Sequence, residues 1–193
     1  MNTTNLSFGQ RVDETNGLVE CWFTHGALNA IKQMDLSNMK ILEYGAGLGD
    51  AWLSKRCKEL VVIERNYEWL EKVGTNLAAN GCNNVTLLSR PCNDCSGEDK
   101  YYCEIPKGFE PDVIIVDDAY RYECIINTIE YAKQSDKESI LLIVDNWQQD
   151  YVFICPAAEE ALKDYYKVVF PQPDHTDHDG RRWQTALFNL NNL

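Results

Sequence analysis

The sequence predicts an α/β domain in which a doubly wound, mostly parallel sheet carries helices on both faces. Strand-like and helix-like segments alternate strictly from residue 40 onward, which is the pattern of such domains. Residues 113–116 and 140–144 are continuously apolar, as strands buried on both faces are. A glycine-rich turn directly follows the first strand, and ligands bind at the carboxyl ends of strands in these sheets.

The N-terminal region is predicted to lie outside the sheet. Residues 1–16 are polar, and residues 18–34 carry Leu18, Cys21, Leu28 and other apolar residues at helical spacing. We therefore expect an N-terminal arm and lid helix over residues 1–38. The remainder, residues 39–193, is long enough for one globular unit with its own core.

The other elements follow from short apolar runs and from the amphipathic segments between them. The predicted strands are residues 40–44, 60–64, 85–88, 112–117, 139–145, 166–170 and 183–190. The predicted helices are residues 51–57, 67–79, 122–133 and 156–163, of which the second ends in Asn80-Gly81, a common helix stop. Residues 90–110 form a long polar stretch that is either functional or contains a degenerate helix. The last two strands are joined too closely for a crossover helix, so we expect them to be antiparallel.

Composition excludes several classes of partner. The 193 residues include 30 Asp and Glu against 18 Lys and Arg, which gives a formal net charge of -12. Binding to nucleic acid or to an anionic membrane surface requires basic residues, so neither is expected. No apolar run is long enough to span a bilayer, and the first residues lack a secretory signal. We expect a cytoplasmic protein whose eight cysteines are reduced.

The turn after the first strand reads Glu43-Tyr44-Gly45-Ala46-Gly47-Leu48-Gly49-Asp50. Glycines allow a tight turn and the close approach of a ligand, and the following helix offers unpaired N–H groups. Glu64 ends the next strand, where an acidic residue accepts hydrogen bonds from ribose hydroxyls. Strand, glycine turn, helix and terminal Glu together predict an adenosine-containing ligand.

Asp50 decides which adenosine ligand is favoured. It stands where the dinucleotide fingerprint has its third glycine, and a carboxylate there repels a pyrophosphate. S-adenosylmethionine has no phosphate and carries a sulfonium and an ammonium. Residues 43–49 resemble the first motif of the class I S-adenosylmethionine-dependent methyltransferases, an acidic residue, a variable residue and G-x-G-x-G. The resemblance covers roughly residues 39–190 and implies a Rossmann-like seven-stranded sheet with the last strand antiparallel.

The resemblance also implies roles for individual residues. Glu43 and the glycine loop would hold the methionine part, Glu64 the ribose, and the segment around residues 92–94 the adenine. The residues implied to contact the cofactor are Glu43, Gly45, Ala46, Gly47, Gly49, Glu64, Arg65, Asn93 and Asp117.

Three residues at later strand ends resemble a more specific group, the metal-dependent O-methyltransferases of the catechol and caffeoyl-CoA types. Asp117 follows the fourth strand, and Asp145-Asn146 end the fifth. The resemblance implies that these oxygens bind Mg²⁺, which would hold a substrate hydroxyl and lower its pKa. Tyr120 stands where the catechol enzymes carry a lysine, so the base stays open. Alternatively, these acidic residues only face the cleft or cap the next helix.

A second, looser resemblance is to small bacterial orphan methyltransferases, a grouping that fixes no substrate. It rests on Thr24-His25, residues 52–56, residues 117–121 and Asp145-Asn146. The catalytic candidates are Asp117, Tyr120, Asp145 and His25, with His175 and His178 as further candidate bases. Arg121, Arg181 and Arg182 either bind an anionic substrate group or pair with neighbouring acids. Trp147 is the tryptophan expected to wall a substrate pocket.

The sequence therefore predicts an S-adenosylmethionine-dependent methyltransferase that acts on a small molecule, with oxygen as the accepting atom. Aminopropyl transfer and a non-catalytic binding or partner protein stay open, whereas an NAD-dependent oxidoreductase is disfavoured by Asp50. A zinc cluster formed by Cys92, Cys95, Cys103 and the nearby Cys82 is disfavoured because no second C-x-x-C is present. Oligomeric state is not readable, and a homodimer stays open.

Overall fold

The structure, a computed structural model, describes residues 10–93, 97–148, 156–176 and 182–191. The strands are β1 (Lys40–Tyr44), β2 (Glu59–Glu64), β3 (Val85–Ser89), β4 (Val113–Val116), β5 (Ser139–Asp145), β6 (Tyr166–Thr176) and β7 (Arg182–Asn191). The helices are α1 (His25–Lys32), α2 (Asp50–Ser54), α3 (Tyr67–Ala79), α4 (Arg121–Gln134) and α5 (Pro156–Leu162). A 3₁₀ segment, Gly97–Tyr102, lies within the long polar stretch before β4.

The strands form one seven-stranded sheet in the order β3-β2-β1-β4-β5-β7-β6. The first five strands are parallel, and β7 is antiparallel to both of its neighbours. This confirms the predicted seven-stranded α/β sheet and its antiparallel final strand. The order reverses between β1 and β4, and ligands bind at such a switch point. Tyr44 pairs with Val116 there, which places the glycine loop beside the residues that follow β4.

Both faces of the sheet are covered, which explains why its central strands are apolar throughout. On one face Leu42, Ile114 and Val144 belong to a buried cluster that includes residues of α4 and α5. On the other face Ile41 and Ile115 belong to a cluster that includes residues of α1, α2 and α3. Successive strand residues point to opposite faces, so each strand contributes to both clusters.

The predicted helix over residues 18–34 is wrong in its first part, because α1 begins only at His25. Distant partners take the backbone N–H groups that a longer helix would use. The Thr24 N–H donates to Thr185 Oγ1 at 3.0 Å, and the His25 N–H donates to Gln172 Oε1 at 2.9 Å. Val12 instead forms an isolated antiparallel bridge with Val19. Tertiary hydrogen bonds here override a helical pattern.

The element above the glycine loop is therefore non-helical chain. A Cβ added at Gly49 would lie 2.5 Å from the Cα of Cys21, so the two backbones are in direct contact. The helix α1 packs against β6 and β7 instead. We name residues 17–24 the covering segment.

A buried carboxylate anchors the covering segment. The side chain of Glu20 is 1% exposed and pairs with Lys32 of α1, with Arg11 Nε 3.7 Å away. A charged carboxylate buried to this degree is costly unless a cation lies beside it. Among the described residues, no helix is long and apolar enough to cross a membrane.

We expect Lys32→Met to lower the free energy of unfolding by at most about 3 kcal/mol, because it leaves the Glu20 charge buried beside Arg11 alone. The double variant Glu20→Gln/Lys32→Met removes both charges and should recover part of that loss. Urea denaturation of the wild type and both variants measures the effect. A double variant less stable than Lys32→Met would contradict the pairing.

Candidate active site

A cavity of about 510 Å³ opens at the carboxyl ends of β1, β4 and β5. Its walls are the glycine loop, the residues that follow β4 and β5, and part of the covering segment. Its volume lies in the range of small-molecule sites. The site is therefore where the topology of the sheet places a ligand.

The glycines of the loop have different reasons to be glycine. Gly45 has φ +97°, and a Cβ there would lie 2.3 Å from the carbonyl oxygen of Asp117, so conformation and packing both require glycine. At Gly47 φ is not positive, and an added Cβ would come no closer than 3.5 Å to Asp50 Oδ1. The chain itself does not require glycine at position 47, which lines the cavity. The space beside Gly47 is available to a ligand.

Each of two buried carboxylates beside the glycine loop has one oxygen without a hydrogen-bond partner among the described residues. Glu43 is 5% exposed and Asp50 is 1% exposed, and both line the cavity. Asp50 Oδ1 accepts the Gly47 N–H at 3.0 Å, but Glu43 Oε2 and Asp50 Oδ2 have no hydrogen-bond partner among the described residues. Burial raises the pKa of both carboxyl groups well above their usual values, and Asp50 further raises that of Glu43. A cationic ligand group would relieve this cost.

Glu64 lies on the other side of the loop. Its Oε2 accepts the Ala46 N–H at 3.0 Å, and its Oε1 accepts the Asn66 N–H at 2.7 Å. Each carboxylate oxygen can accept a second hydrogen bond. Glu64 lines a separate recess of about 480 Å³ together with Arg65, Asn66, Trp69, Cys92 and Asp118. We name it the adenosine-side recess, because the resemblance places ribose and adenine at these residues.

Arg121, on the first turn of α4, joins the ends of β4 and β5. It is buried, and its Nη2 donates to Asp117 Oδ1 and to Asn146 Oδ1, both at 2.7 Å. Its Nε donates to the backbone oxygen of Asp145 at 2.9 Å, and its Nη1 donates to that of Asp118. Asn146 has φ +54°, a conformation that asparagine tolerates. From the sequence, Arg121 is expected either to bind an anionic substrate group or to pair with a neighbouring acid, and the structure shows it paired with Asp117.

The three predicted Mg²⁺ ligands do not fit a metal. Asp117 Oδ1 and Asn146 Oδ1 both accept hydrogen bonds from the Arg121 guanidinium, which places a positive charge between them. The Asp145 carboxylate accepts from Trp183 Nε1, at 3.1 and 3.2 Å, and from the Thr185 hydroxyl. Mg²⁺ requires oxygens disposed octahedrally at close range. Three ligands already oriented toward N–H and O–H donors do not offer that arrangement.

The far end of the cavity is built by residues that the sequence analysis did not single out. Trp183 and Gln148 line it, and the Trp183 ring lies 6.0 Å from that of Trp22 in an edge-to-face arrangement. Burial raises the pKa of Asp145 well above its usual value, and nearby Asp117 raises it further. The expected tryptophan, Trp147, instead packs on Phe188 and lines a different recess.

Asp117 is the carboxylate that connects the two ends of the cavity. It lines the cavity, and its backbone oxygen lies against Gly45. Burial raises the pKa of Asp117 to about 6, and Arg121 opposes that rise. Its Oδ1 accepts from Arg121, and no hydrogen bond to its Oδ2 is found among the described residues.

Two candidate bases lie away from the cavity. Tyr120 donates its hydroxyl hydrogen to the backbone oxygen of Asn93, and the Arg65 guanidinium lies 5.7 Å from its ring centroid. His25 faces β6, where its Nδ1 lies 3.4 Å from Gln172 Nε2. Neither residue is among the described residues that line the cavity. Of the other candidates, the His175 side chain, His178 and Arg181 lie outside what the structure describes, as does Cys95.

We expect Asp50→Asn to raise the melting temperature of the ligand-free protein at neutral pH. The pKa of Asp50 is higher in the folded protein than in the unfolded chain, where it is near 3.8. The protonated carboxyl group therefore stabilises the fold below about pH 3.8, and this stabilisation is lost as the pH rises. Asparagine stays neutral, so the gain should shrink between about pH 7 and about pH 4. Circular dichroism melts measure it, with exposed Asp136→Asn as control. A destabilised variant at neutral pH would contradict the assignment.

Because the oxygens of Asp117 and Asn146 are committed to Arg121, millimolar Mg²⁺ should change the melting temperature by less than about 1 °C relative to a chelated sample. Differential scanning fluorimetry over a series of Mg²⁺ concentrations is the measurement. A rise in melting temperature that increases with the Mg²⁺ concentration and disappears in Asp117→Asn would instead support the predicted Mg²⁺ site.

No protein-family model and no curated protein matches the sequence. Solved structures do match. A methyltransferase-like protein from Silicibacter pomeroyi is 21% identical over 89% of this chain and 88% of its own, with a TM-score of 0.61. The N-methyltransferase NodS from Bradyrhizobium japonicum is 13% identical over 83% of this chain and 92% of its own, with a TM-score of 0.60. The O-methyltransferase TomG from Streptomyces achromogenes, solved in complex with S-adenosylmethionine, is 19% identical over 78% of this chain and 72% of its own, with a TM-score of 0.53. The chain therefore has the fold of the class I S-adenosylmethionine-dependent methyltransferases, as the sequence predicted.

Proposed function

We propose that this protein is an S-adenosylmethionine-dependent methyltransferase with a small-molecule acceptor. The observation that carries the proposal is a pair of buried carboxylate oxygens in the cavity wall, Glu43 Oε2 and Asp50 Oδ2, that have no hydrogen-bond partner among the described residues. The methionine part of the cofactor brings an ammonium and a sulfonium to the glycine loop of this fold. Two desolvated carboxylates are the complement of those charges.

The remaining cofactor contacts follow the geometry of the loop. Glu64 would accept the ribose hydroxyls on its unused lone pairs, since each oxygen makes one backbone hydrogen bond. The adenosine-side recess would take the adenine beside Arg65 and Cys92, with the neighbouring Asn93 at its edge. When bound, the cofactor supplies an electrophilic methyl group on sulfur. The chain's own task is to orient an acceptor toward it and to exclude water.

The covering segment supports exclusion of water. Cys21, Trp22 and Phe23 line the cavity from above the glycine loop. Gln10, which precedes the covering segment in the sequence, also lines the cavity. A ligand held under this segment would be removed from bulk solvent, and the acceptor volume would be limited to a small molecule.

The accepting atom is not decided by the fold, because both O- and N-methyltransferases share it. The prediction of oxygen rested on an Mg²⁺ site at Asp117, Asp145 and Asn146. Since those residues do not fit a metal, that prediction loses its support. The accepting atom has to be inferred from the far end of the cavity.

Calorimetric titration with S-adenosylhomocysteine is the first test. We expect a dissociation constant on the order of micromolar for the wild type, and at least about tenfold weaker binding for Glu43→Gln, because the ammonium loses its charged partner. Glu68→Gln, on the exposed first turn of α3, is the matched control and should bind like the wild type. A folded wild type without binding would overturn the proposal. Binding without turnover on any acceptor would instead favour a non-catalytic binding protein.

Gly47→Ala separates ligand fit from fold stability. The added Cβ makes only ordinary contacts within the chain, so the melting temperature should stay close to that of the wild type. If the cofactor occupies the space beside Gly47, its affinity should fall about tenfold or more. Gly74→Ala in α3, where the nearest atom is the flexible end of Leu87 at 3.3 Å, is the control. Unchanged affinity in a stable Gly47→Ala protein would place the ligand elsewhere.

A further inference from the structure

The part of the cavity that lies beyond the glycine loop has a distinct chemistry. We name it the acceptor end and define it by Trp22, Asp117, Asp145, Gln148 and Trp183. Among the described residues, no lysine, arginine or histidine lines the cavity, whereas four carboxylates do. Along the part of these walls that the structure describes, an anionic acceptor would find no cationic side chain.

We propose that the methyl acceptor is an amine, which enters this end of the cavity as an alkylammonium and is held by Asp145 and the two tryptophans. The inference rests on the proposed function and deepens it, since it names the chemical class of the acceptor. It replaces oxygen by nitrogen as the accepting atom.

Charge supports the inference first. Glu43 and Asp50 are matched by the two cationic groups of the cofactor, and Asp117 is paired with Arg121. Asp145 is 3% exposed, and its carboxylate accepts only from the indole N–H of Trp183 and the hydroxyl of Thr185, which are neutral donors. Arg121 reaches the backbone oxygen of Asp145, not its carboxylate. Among the described residues, the Asp145 carboxylate therefore forms no ion pair, although the nearby charge of Arg121 lowers its pKa somewhat.

The aromatic residues support it independently. Indole faces attract alkylammonium groups, and Trp22 and Trp183 stand edge to face with their centroids 6.0 Å apart. The Trp183 indole is fixed by its N–H bond to Asp145, so ring and carboxylate form one rigid wall. Trp22 is 43% exposed, which is unusual for a tryptophan, and it lines the cavity from the covering segment. A carboxylate bonded to one indole, with a second indole edge to face against the first, complements a cation carried on an apolar stem.

Transfer of the methyl group to the amine needs only the acceptor, the cofactor and a carboxylate of the cavity. The ammonium gives one proton to the Asp117 carboxylate, whose Oδ1 stays bonded to Arg121, and becomes a neutral amine with a lone pair. The nitrogen forms a bond to the methyl carbon as the bond from carbon to sulfur breaks, and the electron pair of that bond goes to sulfur. The products are a methylated ammonium and the neutral thioether, and no oxidant or further reactant is required.

A matched pair of probes tests the recognition. In protein saturated with S-adenosylhomocysteine, choline and its uncharged isostere 3,3-dimethylbutanol are titrated by calorimetry. We expect choline to bind at least about tenfold more tightly. Equal binding, or tighter binding of the alcohol, would overturn the amine inference. Failure of S-adenosylhomocysteine itself to bind is seen in the preceding titration and would instead overturn the proposed function.

Two variants assign the effect to the acceptor end. Asp145→Asn keeps the size of the side chain and should weaken choline about tenfold, with the affinity for S-adenosylhomocysteine within about threefold of wild type. Should that variant fail to fold, the exposed Trp22→Leu should weaken choline about two- to fivefold. Asp136→Asn, on the exposed surface, is the control. Choline preference that survives in a folded acceptor-end variant would locate the cation site elsewhere and overturn the assignment.

Discussion

The guanidinium of Arg121 joins the two strand ends on which the cavity is built. Four acceptors converge on it, two from side chains and two from the backbone of β5 and of the turn after β4. Because the group is buried, each of these acceptors would be costly to leave unpaired. Asp117 and Asn146 therefore have fixed orientations before any ligand arrives. The pre-organised wall that results is what a group-transfer site needs.

Three further carboxyl groups, those of Glu43, Asp50 and Asp145, line the same cavity as Asp117. Burial raises the pKa of Glu43, Asp50 and Asp145, so each is held in a state that disfavours its charged form. Carboxyl groups are costly at these positions, since apolar side chains of similar size would be cheaper to bury. Residues that lower the stability of the free protein in this way are typical of binding and catalytic sites. Their number and clustering are the physical reason to infer a cationic cofactor and a cationic acceptor.

The sheet could be predicted because alternating apolar runs, turn signals and the glycine loop all indicate the same fold. The start of α1 could not, because the N–H groups of Thr24 and His25 bond to Thr185 and Gln172, far away in the sequence. The misfit between the predicted Mg²⁺ ligands and a metal has a related reason. Asp117, Asp145 and Asn146 suit either Mg²⁺ or a guanidinium, and only the folded chain shows that Arg121 reaches two of them. Arg121 stands only four residues after Asp117, but its contact with Asn146, 25 residues farther along the chain, cannot be inferred from local spacing.

Thr185 shows how the covering segment and the acceptor end depend on each other. Its hydroxyl oxygen accepts the Thr24 N–H at 3.0 Å, and its hydroxyl hydrogen is donated to Asp145. The same segment contacts the glycine loop, where Cys21 lies against Gly49. One buried hydroxyl thus fixes both the end of the segment that lies over the glycine loop and the carboxylate of Asp145. The hydrogen bonds of Thr185 thus hold one end of the covering segment and also orient Asp145, so the cover over the cavity and a carboxylate of its wall depend on the same buried group.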